Sequence, residues 1–222
     1  QTCALPISAA RPVAAGRVSP ESALEFGLAL SALSWVLLDA LVNLPTATLA
    51  LAGNLFYVFV YTRWLKRSTP QNIVIGGAAG AVPPLVGYAG TAGHLGSAAI
   101  VMFLIVFIWT PPHFWALALM IKEHYAAANV PMLPVAKGDE ETTRQIVRYS
   151  WVMLALTLVP VAFGVFGWVY GALALLLGAI FMVYAVKLRR NPIRERAVSL
   201  FHYSMLYLAL LFVAMAIDAV VL

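Results

Sequence analysis

Seven long apolar runs, separated by connectors that are alternately basic and free of charge, constrain this chain more than any other feature. The runs occupy about residues 22–41, 45–62, 73–92, 96–121, 146–166, 168–187 and 199–221. Each is near the ~20 residues that a helix needs to cross a hydrocarbon core. A backbone in lipid must satisfy its own hydrogen bonds, so runs of this length are helices. The period-two alternation of a transmembrane barrel is absent. Composition agrees: 63% of residues are hydrophobic and 10% charged, against roughly 25% charged in soluble domains, and the mean hydropathy is +0.90. The expected fold is all-α, a polytopic membrane helical bundle with seven transmembrane helices.

Charge sets the expected topology. If the spans alternate, one side holds residues 1–21, 63–72, 122–145 and 188–198, and the other holds the turns near 42–45, 93–95 and 167 with the C-terminus. All fourteen Lys and Arg fall on or beside the first side. The positive-inside bias places that side in the cytoplasm and the C-terminus outside. The net charge of +5 therefore reflects loops facing one compartment, and no nucleic-acid partner is expected. The single cysteine, Cys3, makes neither a disulfide framework nor a metal cluster.

Three stretches carry chemistry beyond a greasy span. In "YTRWLKRSTPQN", residues 61–72, Arg63, Lys66 and Arg67 are donors suited to phosphate oxygens. Asn72 suits the same shell or a metal-bound water, and the helix that starts after Pro70 adds a positive dipole end. A positive-inside anchor explains the cations equally well. In "IKEHYAAANVPMLPVAKGDEETTRQI", residues 121–146, Glu123 and His124 lie at the inner end of a span. A carboxylate there suits Mg²⁺; an interfacial polar pair is the plainer reading. The prolines of "VPMLPV" argue against a regular helix, and "DEETTRQI" has helix-start chemistry. In "WTPPHFWALAL", residues 109–119, Pro111 and Pro112 are expected to break or kink the span. His113 then lies about 12 Å from the inner end, and ionisable groups inside spans usually face a cavity. The alternative is a neutral imidazole bonded to a carbonyl freed by the prolines. Trp109, Phe114 and Trp115 offer an aromatic wall or ordinary packing. The small residues of "GGAAGAVPPLVGYAGTAG", residues 76–93, read as architecture around a cavity.

Taken together, "YTRWLKRSTPQNIVIGGAAGAVPPLVGYAG", "WTPPHFWALAL", "HYAAANVPMLPV" and the tail "LFHYSMLYLALLFVAMAID" resemble the protoheme IX farnesyltransferase (haem O synthase) family of intramembrane prenyltransferases. "ARPVAAGRVSPESALEFGLALS" is similar to the segment after that family's first Asp-rich motif. The resemblance runs from about Arg11 onward. It implies a nine-helix fold of which the first two helices, with that motif, are not in this chain. Residues 11–222 are then one prenyltransferase domain, and the fragment alone is expected to be inactive. The opening "QTCALPIS" reads as an artefactual head over residues 1–10.

The resemblance also implies an activity: farnesyl transfer from farnesyl diphosphate to the vinyl group of haem B, giving haem O on the route to haem A for terminal oxidases. Lys66, Arg67 and Glu123 would be catalytic. Arg63, Lys66, Arg67 and Asn72 would bind diphosphate. His113 and Trp109 would contact haem, and Glu123, with His124 as a departure from the usual pattern, would hold Mg²⁺. The implied partners are farnesyl diphosphate, haem B, the lipid bilayer and haem A synthase. The implied place is a multi-pass cell inner (plasma) membrane protein with a cytoplasmic-side active site. A prenyltransferase acting on a quinone-precursor ring and a transporter are the competing readings. The second would show internal repeats, and none stands out.

Overall fold

The computed structural model describes residues 11–221, so the expected artefactual head at 1–10 lies outside the described residues. Ten helical segments follow in order: α1 Pro20–Leu41, α2 Leu44–Leu55, a π-helix Phe56–Leu65, α3 Lys66–Ser68, α4 Asn72–Ala92, α5 Ser97–Met120, α6 Lys122–Ala127, α7 Leu133–Ala162, α8 Trp168–Arg190 and α9 Arg194–Val221. Seven of the resulting rods are long and apolar enough to cross a membrane, with α2, the π-helix and α3 forming one rod over Leu44–Ser68. The protein is a multi-pass membrane bundle, as the apolar runs require.

Local chemistry sets the ends. Ser19 caps α1, its hydroxyl accepting from the N–H of Ser22, with Pro20 at the first turn. Asn43 caps α2 through the N–H of Thr46 and donates its own amide to the Ala89 carbonyl at 2.9 Å. That bond ties the α1–α2 turn to the far end of α4. Thr69 is extended before Pro70, as residues preceding proline tend to be. Its hydroxyl accepts from the Gln71 N–H, and α4 begins one residue later.

Two expectations are corrected here. The fifth span does not start near 146. Its helix starts at Leu133, is interrupted at Gly138 (φ 80°, ψ 173°) and ends at Ala162, short of residue 166. Pro134 of "VPMLPV" is tolerated because it sits in the first turn, where its missing N–H has no helical partner to lose. The acidic residues 139–141 follow the Gly138 break, so they do open a helix. Of the break or kink expected at Pro111–Pro112, the break is absent: α5 runs through that pair, as α4 runs through Pro83–Pro84. Membrane helices tolerate such residues when neighbouring groups satisfy the freed backbone. Next to the second pair, Thr110 donates its hydroxyl to the Val106 carbonyl at 2.8 Å.

The densest core lies among α5, α7, α8 and α9, where Trp115, Tyr170, Phe181 and Tyr207 are almost wholly buried. Asp218 of α9, 2% exposed, accepts from the N–H groups of Gly167 at 2.5 Å and Tyr170 at 3.1 Å. It therefore caps the start of α8 from the last helix, satisfying donors that a helix N-terminus leaves free. At the other edge, α1 packs chiefly on α2 and buries none of its residues.

Candidate active site

The basic segment is built on the π-helix. Its wider i→i+5 turn shows directly where the Lys66 N–H bonds the Tyr61 carbonyl and the Thr62 hydroxyl donates to the Tyr57 carbonyl at 2.9 Å. π-turns cluster at functional sites. In an α-helix the nine residues from Tyr57 to Lys66 would make about 2.5 turns, leaving the two on opposite faces. The π register instead puts Lys66 one turn beyond Tyr61 on its side of the rod. The Tyr57 and Tyr61 rings meet along that side, tilted by 34° with centroids 5.5 Å apart.

Both tyrosines line a half-open cavity of about 850 Å³ between α2, the π-helix, α4 and α5, within the usual range of ligand pockets, roughly 300–1,000 Å³. Its wall on α4 mixes Gly76, Gly77, Gly80 and Gly87 with the side chains of Ile73, Ala79, Val82, Pro83 and Val86; α5 contributes Val106, Trp109, Thr110 and Phe114. At Gly76 an added Cβ would run into the Tyr61 ring, so that glycine lets the phenol lie against the helix.

The structure brings the two inner connectors to one end of the bundle. Ile73, the second residue of α4, packs with Ala118 of α5 and with Ala128, Val130 and Met132 of the following connector; Phe114 and Tyr125 flank them. Tyr61 and Tyr125 lie close enough for their phenols to interact electrostatically. Burial pushes the Tyr125 phenol up from its usual range, so it stays a neutral donor beside the basic segment.

The individual site residues fall out as follows. Arg63 and Arg67 are exposed and Lys66 is half-buried; they follow the cavity's Tyr61 by two, six and five residues. Asn72 is wholly buried, and its amide nitrogen donates to the Lys66 carbonyl at 3.2 Å. Its Oδ1 is buried with no partner. One of its two amide N–H groups thus shapes the Lys66 turn, and its free oxygen suits a water or cation. Glu123 and His124 are both exposed on the short α6, whereas Lys122 is spent on Asp139 at 2.7 Å. Among the described residues there is no group of three or more His, Cys, Asp or Glu able to hold a metal ion.

Trp109 lines the cavity, and its indole N–H donates to the Ser204 carbonyl at 2.8 Å. His113 is not among the lining residues; it touches two that are. Its imidazole, 8% exposed, stacks between Trp109 at 4.2 Å and Phe201 at 4.7 Å, and meets Phe114 edge-on. Its Nδ1 lies 2.7 Å from the Ser204 hydroxyl, not from a carbonyl freed by the proline pair. Sequence reasoning missed Tyr57, Tyr61, Tyr125 and Ser204. The apolar stretch from 45 to 62 hid the tyrosines among spanning residues, and Ser204 carries no signal apart from its distant partner.

Known proteins match this arrangement. A family model described as "UbiA prenyltransferase family" matches residues 6–216. A protoheme IX farnesyltransferase of Roseiflexus sp. (strain RS-1) is 56% identical over 95% of this chain and 40% of the relative. One of Gloeobacter violaceus is 53% identical over 96% of this chain and 70% of the relative. The chain thus spans 40% and 39% of two Roseiflexus relatives and about two thirds of several others. A solved structure concerning digeranylgeranylglyceryl phosphate synthase in membranes shares the fold, with a TM-score of 0.79 over 98% of this chain and 78% of that one, at 20% identity. With most of the chain matched by the family model, and with relatives more than half identical over nearly its whole length, the chain belongs to the UbiA prenyltransferase family.

Proposed function

We propose that the protein of which this chain is part transfers a farnesyl group from farnesyl diphosphate to a vinyl group of haem B, giving haem O. The observation that carries the reading is the apolar, aromatic-flanked cavity that ends at the basic 63–67 segment, in a chain more than half identical to proteins named protoheme IX farnesyltransferase. An amphiphile with a long apolar tail and an anionic head fits that shape.

In the reaction, the bond between C1 of the farnesyl group and the diphosphate oxygen breaks. The vinyl carbons attack the allylic cation, a water adds to the cation left on the porphyrin side, and a proton is released. Arg63, Lys66 and Arg67 meet the charge that grows on the departing diphosphate. Tyr57, Tyr61 and Trp109 face the allylic cation with aromatic rings and exclude water from it. Mg²⁺, when bound, would act as a Lewis acid on the diphosphate. Glu123, with His124 beside it, would hold the ion together with phosphate oxygens, an ordinary ligand set for that ion. The positive-inside bias of the basic connectors supports a cytoplasmic-side active site, with the C-terminus outside, in a cell inner (plasma) membrane. Haem A synthase, which would consume the product, is the natural partner.

The test is the product. Membranes from cells making the whole protein, supplied with farnesyl diphosphate and haem B, should yield hydroxyethylfarnesyl haem by mass. A prenylated aromatic acid would assign the protein to quinone-precursor chemistry, and no prenylated product would leave the transporter reading.

A further inference from the structure

The cavity has a direction. One end lies at Ile73, Gly76 and Tyr61, the last on the rod that continues to Arg63, Lys66 and Arg67; the other lies at Val86 and Gly87, toward the opposite end of α4. Along α4 the positions 76, 80, 83 and 87 fall on one helical face, spaced by four, three and four residues, and all four line the cavity. Gly80 and Gly87 differ from Gly76. A Cβ built on either meets nothing within 4 Å, so a side chain there would occupy the cavity and not a neighbouring helix.

The distances match an isoprenoid. Gly76 to Gly87 is eleven residues, roughly 16 Å at the helical rise. An extended isoprene unit adds four chain carbons, roughly 5 Å at carbon–carbon bonds of about 1.5 Å. Three units then reach from the cationic end to the level of Gly87, two units stop short of it, and one unit ends near Gly80, about 6 Å from Gly76.

We propose that α4 is a chain-length ruler, with Gly87 the residue that admits the third isoprene unit and Gly80 the one that admits the second. The inference rests on the prenyl-diphosphate reading above and extends it: the donor's tail lies along the glycine face of α4, and the absence of side chains at 80 and 87 leaves room for a tail of fifteen carbons. The three cations at one end select an anionic-headed prenyl donor over an ordinary acyl chain.

The test is a competition assay on the intact purified membrane protein without haem. Labelled farnesyl diphosphate is displaced by unlabelled farnesyl or geranyl diphosphate. Gly87→Leu should weaken farnesyl diphosphate by at least about tenfold, because the third unit's buried apolar surface is lost, and should change geranyl diphosphate by less than about threefold. Gly80→Leu should weaken both, and Gly80→Ala and Gly87→Ala should weaken neither appreciably. Gly87→Val supplies the same comparison if the leucine variant does not fold. Equal loss for both donors in Gly87→Leu and Gly87→Val, or no loss in either, overturns the ruler while leaving the donor assignment intact. A wild-type protein that binds neither donor overturns the prenyl-diphosphate reading and the ruler with it.

Discussion

The Nδ1 of His113 lies 2.7 Å from the Oγ of Ser204, and that same Oγ lies 2.6 Å from the Phe201 carbonyl oxygen. A carbonyl oxygen has no proton, so the serine's single hydroxyl proton goes to Phe201. Ser204 must then accept from His113, which fixes the imidazole as the Nδ1–H tautomer with its free electron pair on Nε2. A group so arranged can ligate iron or accept a hydrogen bond through Nε2. The pair also fastens α5 to α9 across 91 residues of sequence.

Ser204→Ala should therefore cost about 1–3 kcal/mol, the penalty for leaving a buried donor unmet, read as a lower unfolding temperature in detergent. Ser204→Thr, which keeps the hydroxyl, should recover part of it.

His113→Ala in the whole protein separates two roles. Haem B affinity should fall while farnesyl diphosphate affinity changes little, measured by optical titration and by competition. Unchanged haem affinity together with normal haem O output would assign His113 to helix packing alone.

At the basic segment, Lys66→Ala and Arg67→Ala should each weaken binding of inorganic diphosphate by about tenfold or more, with the loss growing as salt is lowered, because charge-assisted contacts are screened by ions. Asn72→Ala should act differently. Its amide holds the Lys66 carbonyl, so thermal stability should drop, and the salt dependence of diphosphate binding should stay that of the wild type. Identical salt slopes for Lys66→Ala and the wild type would remove Lys66 from the anion site.

Asp218→Ala should be among the more damaging single changes in the bundle. The carboxylate accepts two backbone N–H groups at the start of α8 while 2% exposed. Its loss strips a cap and leaves those donors unmet, at about 1–3 kcal/mol. Asp218→Asn should be milder, since an amide oxygen can still accept one of them. Equal unfolding temperatures for wild type and Asp218→Ala would refute the cap.

A fifth outcome concerns Gly138, whose φ of 80° lies where a Cβ is strained. Gly138→Ala should cost about 1 kcal/mol or more, seen as a lower unfolding temperature, and should disturb the Lys122–Asp139 pair at the adjoining turn.

Hydrophobicity and charge by themselves determined how many rods this chain makes, roughly where each but the fifth begins, and which connectors share an end. Both terms are sums over local sequence, and a bilayer leaves the backbone no alternative to helix. The basic segment at 63–67, the polar pair at 123–124 and the aromatic run at 109–115 were legible for the same reason: polar or aromatic groups stand out against aliphatic ones. Which face of each rod points inward was not legible, because a lipid-facing surface is as apolar as a core and amphipathic periodicity is lost. Tertiary contact alone decided that Asn72 turns its amide to Lys66, that Asp218 caps a helix some 50 residues earlier, and that His113 meets Ser204 and not a freed carbonyl. The π-helix was hidden for a related reason. Its residues are ordinary helix-borne ones, and only the register of the hydrogen bonds carries Lys66 round to the side of Tyr61.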